Sequence, residues 1–241
     1  MMRALIWMCL LGAACVPPVA AEDAAPAQLR LEVEVVERAV PPETANVPLV
    51  VLLHGRGHHP EGILPALSGL PGPVKIVAPR APQPWGDGAS WFDHSSGSGK
   101  LSSDHVRARA SLVAEVIAAH RVGEGPVLVT GFSQGGILSF AMAVHHPELV
   151  DAVFPVAGVW LDHGMGPASA SQAATPIRAF HGVNDRVIPL SATRRGVEAL
   201  ASAGFDVSLK TYAGLDHAIS AEERRDWYRA LISAMRARVS P

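Results

Sequence analysis

The sequence predicts an α/β fold, a mostly parallel sheet with helices on both faces in a single domain. Three observations point there. Short, continuous apolar runs recur at 49–53, 74–78, 153–156 and 177–180, which is how strands covered on both faces read. Stretches with apolar residues three and four apart separate them. Between a β-branched run at 127–130 and a helix-compatible run at 137–144 lies Gly131-Phe-Ser-Gln-Gly135, a serine set between glycines on a strand-to-helix turn.

The chain has 241 residues and a hydrophobic fraction of 49%, enough for one well-buried core. Its formal charge of −2 gives no electrostatic footprint for nucleic acid. Residues 1–21 read as an export signal: a basic Met1-Met2-Arg3, an apolar stretch from Ala4 to Ala14 too short to span a bilayer, and small residues before Glu22. A lipoprotein signal ending at Cys15 is the lesser reading, because Leu11 sits one position too far upstream for a good attachment box. Cys9 and Cys15 are the only cysteines, so the cleaved chain would have none. That rules out thiol catalysis, cysteine metal sites and disulfides in the exported protein.

Residues 22–28, rich in Ala, Pro and acid, read as a flexible linker, and 29–241 as the folded domain. Leu29, Leu31, Val33 and Val35 alternate with Arg30, Glu32 and Glu34, the pattern of a half-buried antiparallel edge strand. Residues 207–211 close the series of strands. In the helix expected over 104–120, Val106, Ala110, Val113 and Ile117 share a face. In the next, over 191–203, Val197, Leu200 and Ala201 do so, and Gly204 stands where a C-terminal cap belongs. Ser220-Ala-Glu-Glu223 reads as a capping box ahead of a stripe of Trp227, Leu231, Ile232 and Met235. The Gly-, Ser- and Ala-rich stretch 162–175 reads as a loop. No repeat and no second domain is visible.

A serine hydroxyl is a weak nucleophile near neutral pH. It needs a base within hydrogen-bond reach and a group that fixes the base's tautomer. On a strand–turn–helix elbow the order along the chain is serine, acid, histidine. Ser133 is the expected nucleophile. Asp185, in the loop after the run 177–180, is the expected acid, and His217, after the last strand, the expected base. Loops at the carboxyl ends of parallel strands converge on one edge, so the three can meet. Asp162 would serve as acid if the carboxylate came from the preceding strand, whereas Asp216 is next to the base and points away from it. Among the eleven histidines, His181 is expected to pack under the acid loop, and His58, His59, His94, His105, His120, His145, His146 and His163 to be solvated. Two N–H donors are needed for the oxyanion: the backbone of Gln134, and the backbone of Arg56 in the loop His54-Gly-Arg-Gly57.

Together, Leu53-His-Gly-Arg-Gly57, Trp91-Phe-Asp93, Gly131-Phe-Ser-Gln-Gly-Gly136, His181-Gly-x-x-Asp185 and Lys210-Thr-Tyr-x-Gly-x-x-His217 resemble the phospholipase/carboxylesterase family of small α/β-hydrolases, in order and over nearly the whole mature chain. The resemblance implies the α/β-hydrolase fold, and hydrolysis of short acyl esters, lysophospholipids or acyl thioesters with no cofactor and no metal. It also places Trp91 and Trp160 near the acyl site. Two features depart from the family pattern: His58-His59 stands where an acidic residue is frequent, and the export signal contrasts with cytosolic members. Export also favours an alternative substrate class, polysaccharide-linked (feruloyl or acetyl) or polyester groups. The expected partner is a small ester or lipid, with no nucleic acid and no stable membrane span, and the expected protein a monomer or homodimer. A non-catalytic ligand-binding member and a peptidase are the remaining readings. Against the first stands the ordered serine, acid and histidine, against the second the lack of an inserted lid or propeller domain.

Overall fold

Strand β2, Leu49–Leu53, is buried at every position and divides the interior in two. Leu49, Val51 and Leu53 face one apolar cluster, Val50 and Leu52 the other. That is the consequence of period-two alternation in a strand with helices above and below. The computed structural model describes residues 31–38, 40, 46–92, 101–161 and 175–237. The expected signal segment, Cys15, the linker 22–28 and residues 162–174 of the expected loop lie outside them.

Ahead of β2 comes β1, Val33–Arg38, and after it β3, Val74–Pro79. A hairpin follows, β4 (Gln83–Trp85) and β5 (Gly88–Ser90). The remaining strands are β6 (Val127–Phe132), β7 (Ala152–Val156), β8 (Ile177–Gly182) and β9 (Val207–Tyr212). Seven of them form one sheet in the order β1-β3-β2-β6-β7-β8-β9. Only β1 runs antiparallel, along β3. The mostly parallel sheet and the edge strand are as the sequence predicts, with one correction: Val35 is 43% exposed, because it lies at the sheet edge beyond the helical cover, while Val36 on the opposite face packs inward.

The helices are α1 (Pro60–Ile63), continued by a 3₁₀ turn Leu64–Leu67, then α2 (Ser103–His120), α3 (Gln134–His145), α4 (Leu190–Ser202) and α5 (Ala221–Ala237). Helices α2, α3 and α4 cover one face; α1, its 3₁₀ extension and α5 cover the other. In α2 the buried residues include the expected Val106, Ala110, Val113 and Ile117. In α4 the buried positions are Leu190, Thr193, Gly196 and Leu200; Val197 is half-buried, and Ala201 is exposed, on the far side of the helix from the sheet. Gly204 takes φ +91° just past this helix, the left-handed conformation its cap requires.

Helix α5 is fastened to the sheet by more than apolar contact. Trp227 is fully buried and donates from Nε1 to Thr130 Oγ1 at 2.9 Å, and that hydroxyl donates in turn to the Phe154 carbonyl at 2.6 Å. The chain of bonds joins the last helix to β6, which ends at the serine turn, and to its neighbour β7. Thr130→Val, which keeps the shape and removes the hydroxyl, leaves the indole N–H without an acceptor. Chemical denaturation should show a loss of about 1–3 kcal/mol. An unchanged midpoint would mean that α5 is held by its apolar face alone.

Candidate active site

The turn after β6 is tight because two chain segments nearly touch there. A Cβ built on Gly135 would lie 2.1 Å from the Leu53 carbonyl oxygen, and one on Gly131 would lie 2.5 Å from the same atom. Only glycine fits on either side of the serine. Ser133 between them has φ 57° and ψ −115°, outside the regions that L-residues ordinarily occupy. Its N–H is held by the Val156 carbonyl at 2.9 Å, and its carbonyl accepts the Ile137 N–H at 3.0 Å as α3 begins. The hydroxyl is thereby raised at the carboxyl edge of the sheet, with the first turn of a helix behind it.

Two further loops converge on it. His217 Nε2 lies 2.9 Å from Ser133 Oγ, and His217 Nδ1 lies 2.7 Å from Asp185 Oδ2. With Nδ1–H donated to the carboxylate, Nε2 is left to accept the serine proton. Asp185 is fully buried at its side chain, and its other oxygen accepts the N–H groups of Val187 and Ile188 at 2.9 and 2.8 Å. The loops are tied to each other by backbone bonds, Val183 N–H to Tyr212 O and Asn184 N–H to Leu215 O, and by Asp216, whose Oδ1 accepts the N–H groups of Arg186 and His217. Those donors, that of Arg186 foremost, hold the Asp216 carboxyl below its usual range. Asp216 is thus a brace between loops and does not orient the imidazole. The Phe132 ring packs against the His217 ring at 4.8 Å between centroids. His181 lies beneath the acid loop as expected: it is buried, donates from Nε2 to the Ile188 carbonyl at 2.8 Å, and sits 3.4 Å from Asp185. Burial pushes its imidazole below the ordinary range, which keeps it neutral.

The remaining wall of the site is the loop 54–57. His54 is buried; its Nδ1–H donates to the Gly55 carbonyl at 2.7 Å, and its Nε2 accepts the Ala81 N–H at 3.0 Å. Burial lowers its pKa to about 4, so this neutral arrangement persists through the working pH range. Gln134, at the N-terminus of α3, takes the Trp91 N–H on Oε1 at 2.9 Å, and its amide meets Ser90 Oγ at 3.1 Å. Arg56, Ser133 and Gln134 line one cleft of about 290 Å³, with apolar walls from Phe92, Leu101, Ile137, Val159, Val187 and Ile188. The Arg56 N–H has no hydrogen-bond partner among the described residues. A larger hollow of about 620 Å³ opens at the amino ends of β7 and β8, away from these groups.

Trp91 and Trp160 are corrections. Both are fully buried and neither lines the described cleft. Trp91 donates from Nε1 to the His54 carbonyl at 2.9 Å and so buttresses the loop 54–57. It is their chain neighbours Phe92 and Val159 that reach the cleft. The supporting roles of His54, Ser90 and the Gln134 side chain have no signal in the sequence, because they depend on partners distant along the chain. Asp93 and Asp162 lie outside the described residues.

Glu223 was expected to close a capping box, and half of it forms. The Glu223 N–H donates to Ser220 Oγ at 3.0 Å, but neither carboxylate oxygen meets a donor in hydrogen-bond geometry, although the Ser220 N–H faces it. The carboxyl is fully buried. Burial raises its pKa to about 7, the Ser220 N–H opposes this, and the negative charge of Asp185 adds to the rise.

Comparison with known proteins gives a consistent picture. The model of the family Phospholipase/Carboxylesterase matches residues 34–232. A probable carboxylesterase of Oryza sativa subsp. japonica is 35% identical over 159 residues, covering 61% of this chain and 59% of that protein. The stretch matched to a probable carboxylesterase SOBER1-like of Arabidopsis thaliana spans 55% of that protein, so the chain matches little more than half the length of either plant relative. Acyl-protein thioesterase 1 of Gibberella zeae is 27% identical over 214 residues, 76% of this chain and 88% of that protein. Among solved structures, Zea mays acyl-protein thioesterase 2 superposes with a TM-score of 0.68 at 22% identity over 85% of this chain and 99% of that one, a likeness of fold.

The unpartnered Glu223 gives a prediction with a definite sign. The folded carboxyl keeps its proton to about pH 7, the unfolded one only to 4.5. Its contribution to stability is therefore full below the unfolded value and is lost as pH rises through 7. Glu223→Gln removes the titration. Between pH 5 and pH 8 the wild type should lose about 2–3 kcal/mol relative to the variant, read as the difference between their denaturation curves. Parallel pH curves would show that Glu223 is ionised throughout.

Proposed function

We propose, from the premise that this chain belongs to the phospholipase/carboxylesterase family, that it is a serine hydrolase of carboxylic esters acting through an acyl-serine intermediate. The observation that carries the reading is the continuous line from Ser133 Oγ to His217 Nε2 at 2.9 Å and from His217 Nδ1 to Asp185 Oδ2 at 2.7 Å. As Ser133 attacks the ester carbonyl, its proton passes to Nε2. The imidazolium so formed faces the buried Asp185 carboxylate, whose charge is held by two backbone N–H groups and stabilises it. The carbonyl oxygen becomes an oxyanion, and the N–H groups of Arg56 and Gln134 are assigned to receive it. One such donor is worth about 3–4 kcal/mol of transition-state stabilisation.

Collapse of the tetrahedral species expels the alcohol, which takes the proton from Nε2. Water then attacks the acyl-serine by the same route in reverse order. The steps use only side chains and backbone donors of this chain. A cleft of about 290 Å³ with apolar walls favours short acyl groups, with lysophospholipids the longer candidates. An acyl thioester would meet the same groups in the same sequence. Export rests on residues 1–21, whose basic, apolar and small-residue regions follow the order of a signal segment.

Ser133→Ala removes the nucleophile and leaves the fold its contacts. It should abolish turnover of 4-nitrophenyl acetate and butyrate while shifting the thermal midpoint by a degree or two at most. Retention of more than a few per cent of activity would mean that another group attacks.

A further inference from the structure

The hairpin β4–β5 lies outside the main sheet, yet it is clamped to the loop that carries Arg56. The Gly57 N–H donates to the Ala89 carbonyl at 2.8 Å, and the Ala89 N–H donates to the His58 carbonyl at 3.1 Å. Contact is so close that a Cβ on Gly88 would lie 2.1 Å from the Gly57 carbonyl oxygen. The clamp brings the Trp85 ring beneath the Arg56 side chain, whose guanidinium carbon is 5.1 Å from the ring centroid. Trp85 remains 43% exposed and Arg56 is exposed, so this stacked pair stands in solvent. It is a cation held in place by an aromatic face.

Arg56 has no counter-ion among the described residues. Its neighbours do: Arg80 is engaged by His59 and by Glu32, and Arg186 by Asp216 at 3.5 Å. Arg56 also lines the same cleft as Ser133. Apart from Arg56, Ser133 and Gln134 the residues of that cleft are apolar, suited to an acyl chain and hostile to a charge. An exposed guanidinium with no counter-ion, on a residue that lines this cleft, is suited to the other half of an ester, the alcohol that leaves. Its planar fork suits the two oxygens of an oxyacid.

We propose that Arg56, braced on Trp85, forms an anion subsite, and that this enzyme prefers esters whose leaving alcohol carries a carboxylate or a phosphate. The proposal rests on Ser133 acting as the nucleophile. It adds to that reading a sign of charge and a place for it.

Three matched acetates test it: 3-acetoxybenzoate, 3-acetoxyphenyl phosphate and the neutral 3-acetoxybenzamide. The wild type should favour the anions over the amide by about tenfold in kcat/KM, mostly through KM, and the preference should shrink between 0.05 and 0.5 M NaCl as charge is screened. A carboxylate favoured over a phosphate would identify the planar group as the ligand, and the reverse order the phosphate. Arg56→Gln should bring the ratio of anion to amide close to one, and Trp85→Ala, which removes the brace and leaves the cation, should lower it in part. A wild-type ratio near one, or a ratio unmoved by Arg56→Gln, overturns the subsite, while cleavage of the acetate ester of 3-acetoxybenzamide by the wild type leaves the Ser133 reading standing. If 3-acetoxybenzamide itself is not hydrolysed, or Ser133→Ala hydrolyses it equally well, the nucleophile reading fails and the subsite falls with it.

Discussion

The contact on which the site depends is the near-touch of the β6–α3 turn and the end of β2. The Leu53 carbonyl oxygen occupies the space that side chains at residues 131 and 135 would need. This closeness forces Ser133 into positive φ, and the strain persists because the flanking elements are buried on both sides. It has a second effect. The chain leaving β2 at Leu53 runs directly into His54-Gly-Arg-Gly57, so the same contact that raises the Ser133 hydroxyl brings Arg56 to the same cleft. Ser133 and the Arg56 loop are thus positioned by one packing constraint, not by two.

Around that point polar groups sort by whether the backbone satisfies them. Asp185 is fully buried and meets two N–H groups and an imidazole. Glu223, buried in the same region without a bonded donor, is driven toward its neutral form. The two buried carboxyls differ in the donors the backbone offers them. The histidines divide the same way: His54 and His181 are buried and kept neutral as structural pieces, while His217 keeps a partly exposed edge and a carboxylate.

The sheet was legible because a strand covered on both faces must be apolar throughout, and the parallel strands expected at 49–53, 74–78, 153–156 and 177–180 all lie in it. Ser133, Asp185 and His217 were legible for a related reason: each follows a readable strand, and strand ends share an edge. The hairpin β4–β5 was not, since Gln83-Pro-Trp85 and Gly88-Ala-Ser90 are too short to show a period. Trp91 and Trp160 were placed by resemblance at the acyl site, but side-chain direction is set by backbone register that a motif does not carry. The same limit hid Gln134's bonds to Ser90 and Trp91, which cross more than forty residues of chain.

The central claim is that Ser133 is made nucleophilic by His217 at this strained turn. A fluorophosphonate probe followed by peptide mass mapping tests it most directly. The account predicts a single adduct, on Ser133, formed in the wild type and nearly absent in His217→Ala under the same conditions. No adduct in the wild type, an adduct on another residue, or equal labelling without the imidazole would contradict it.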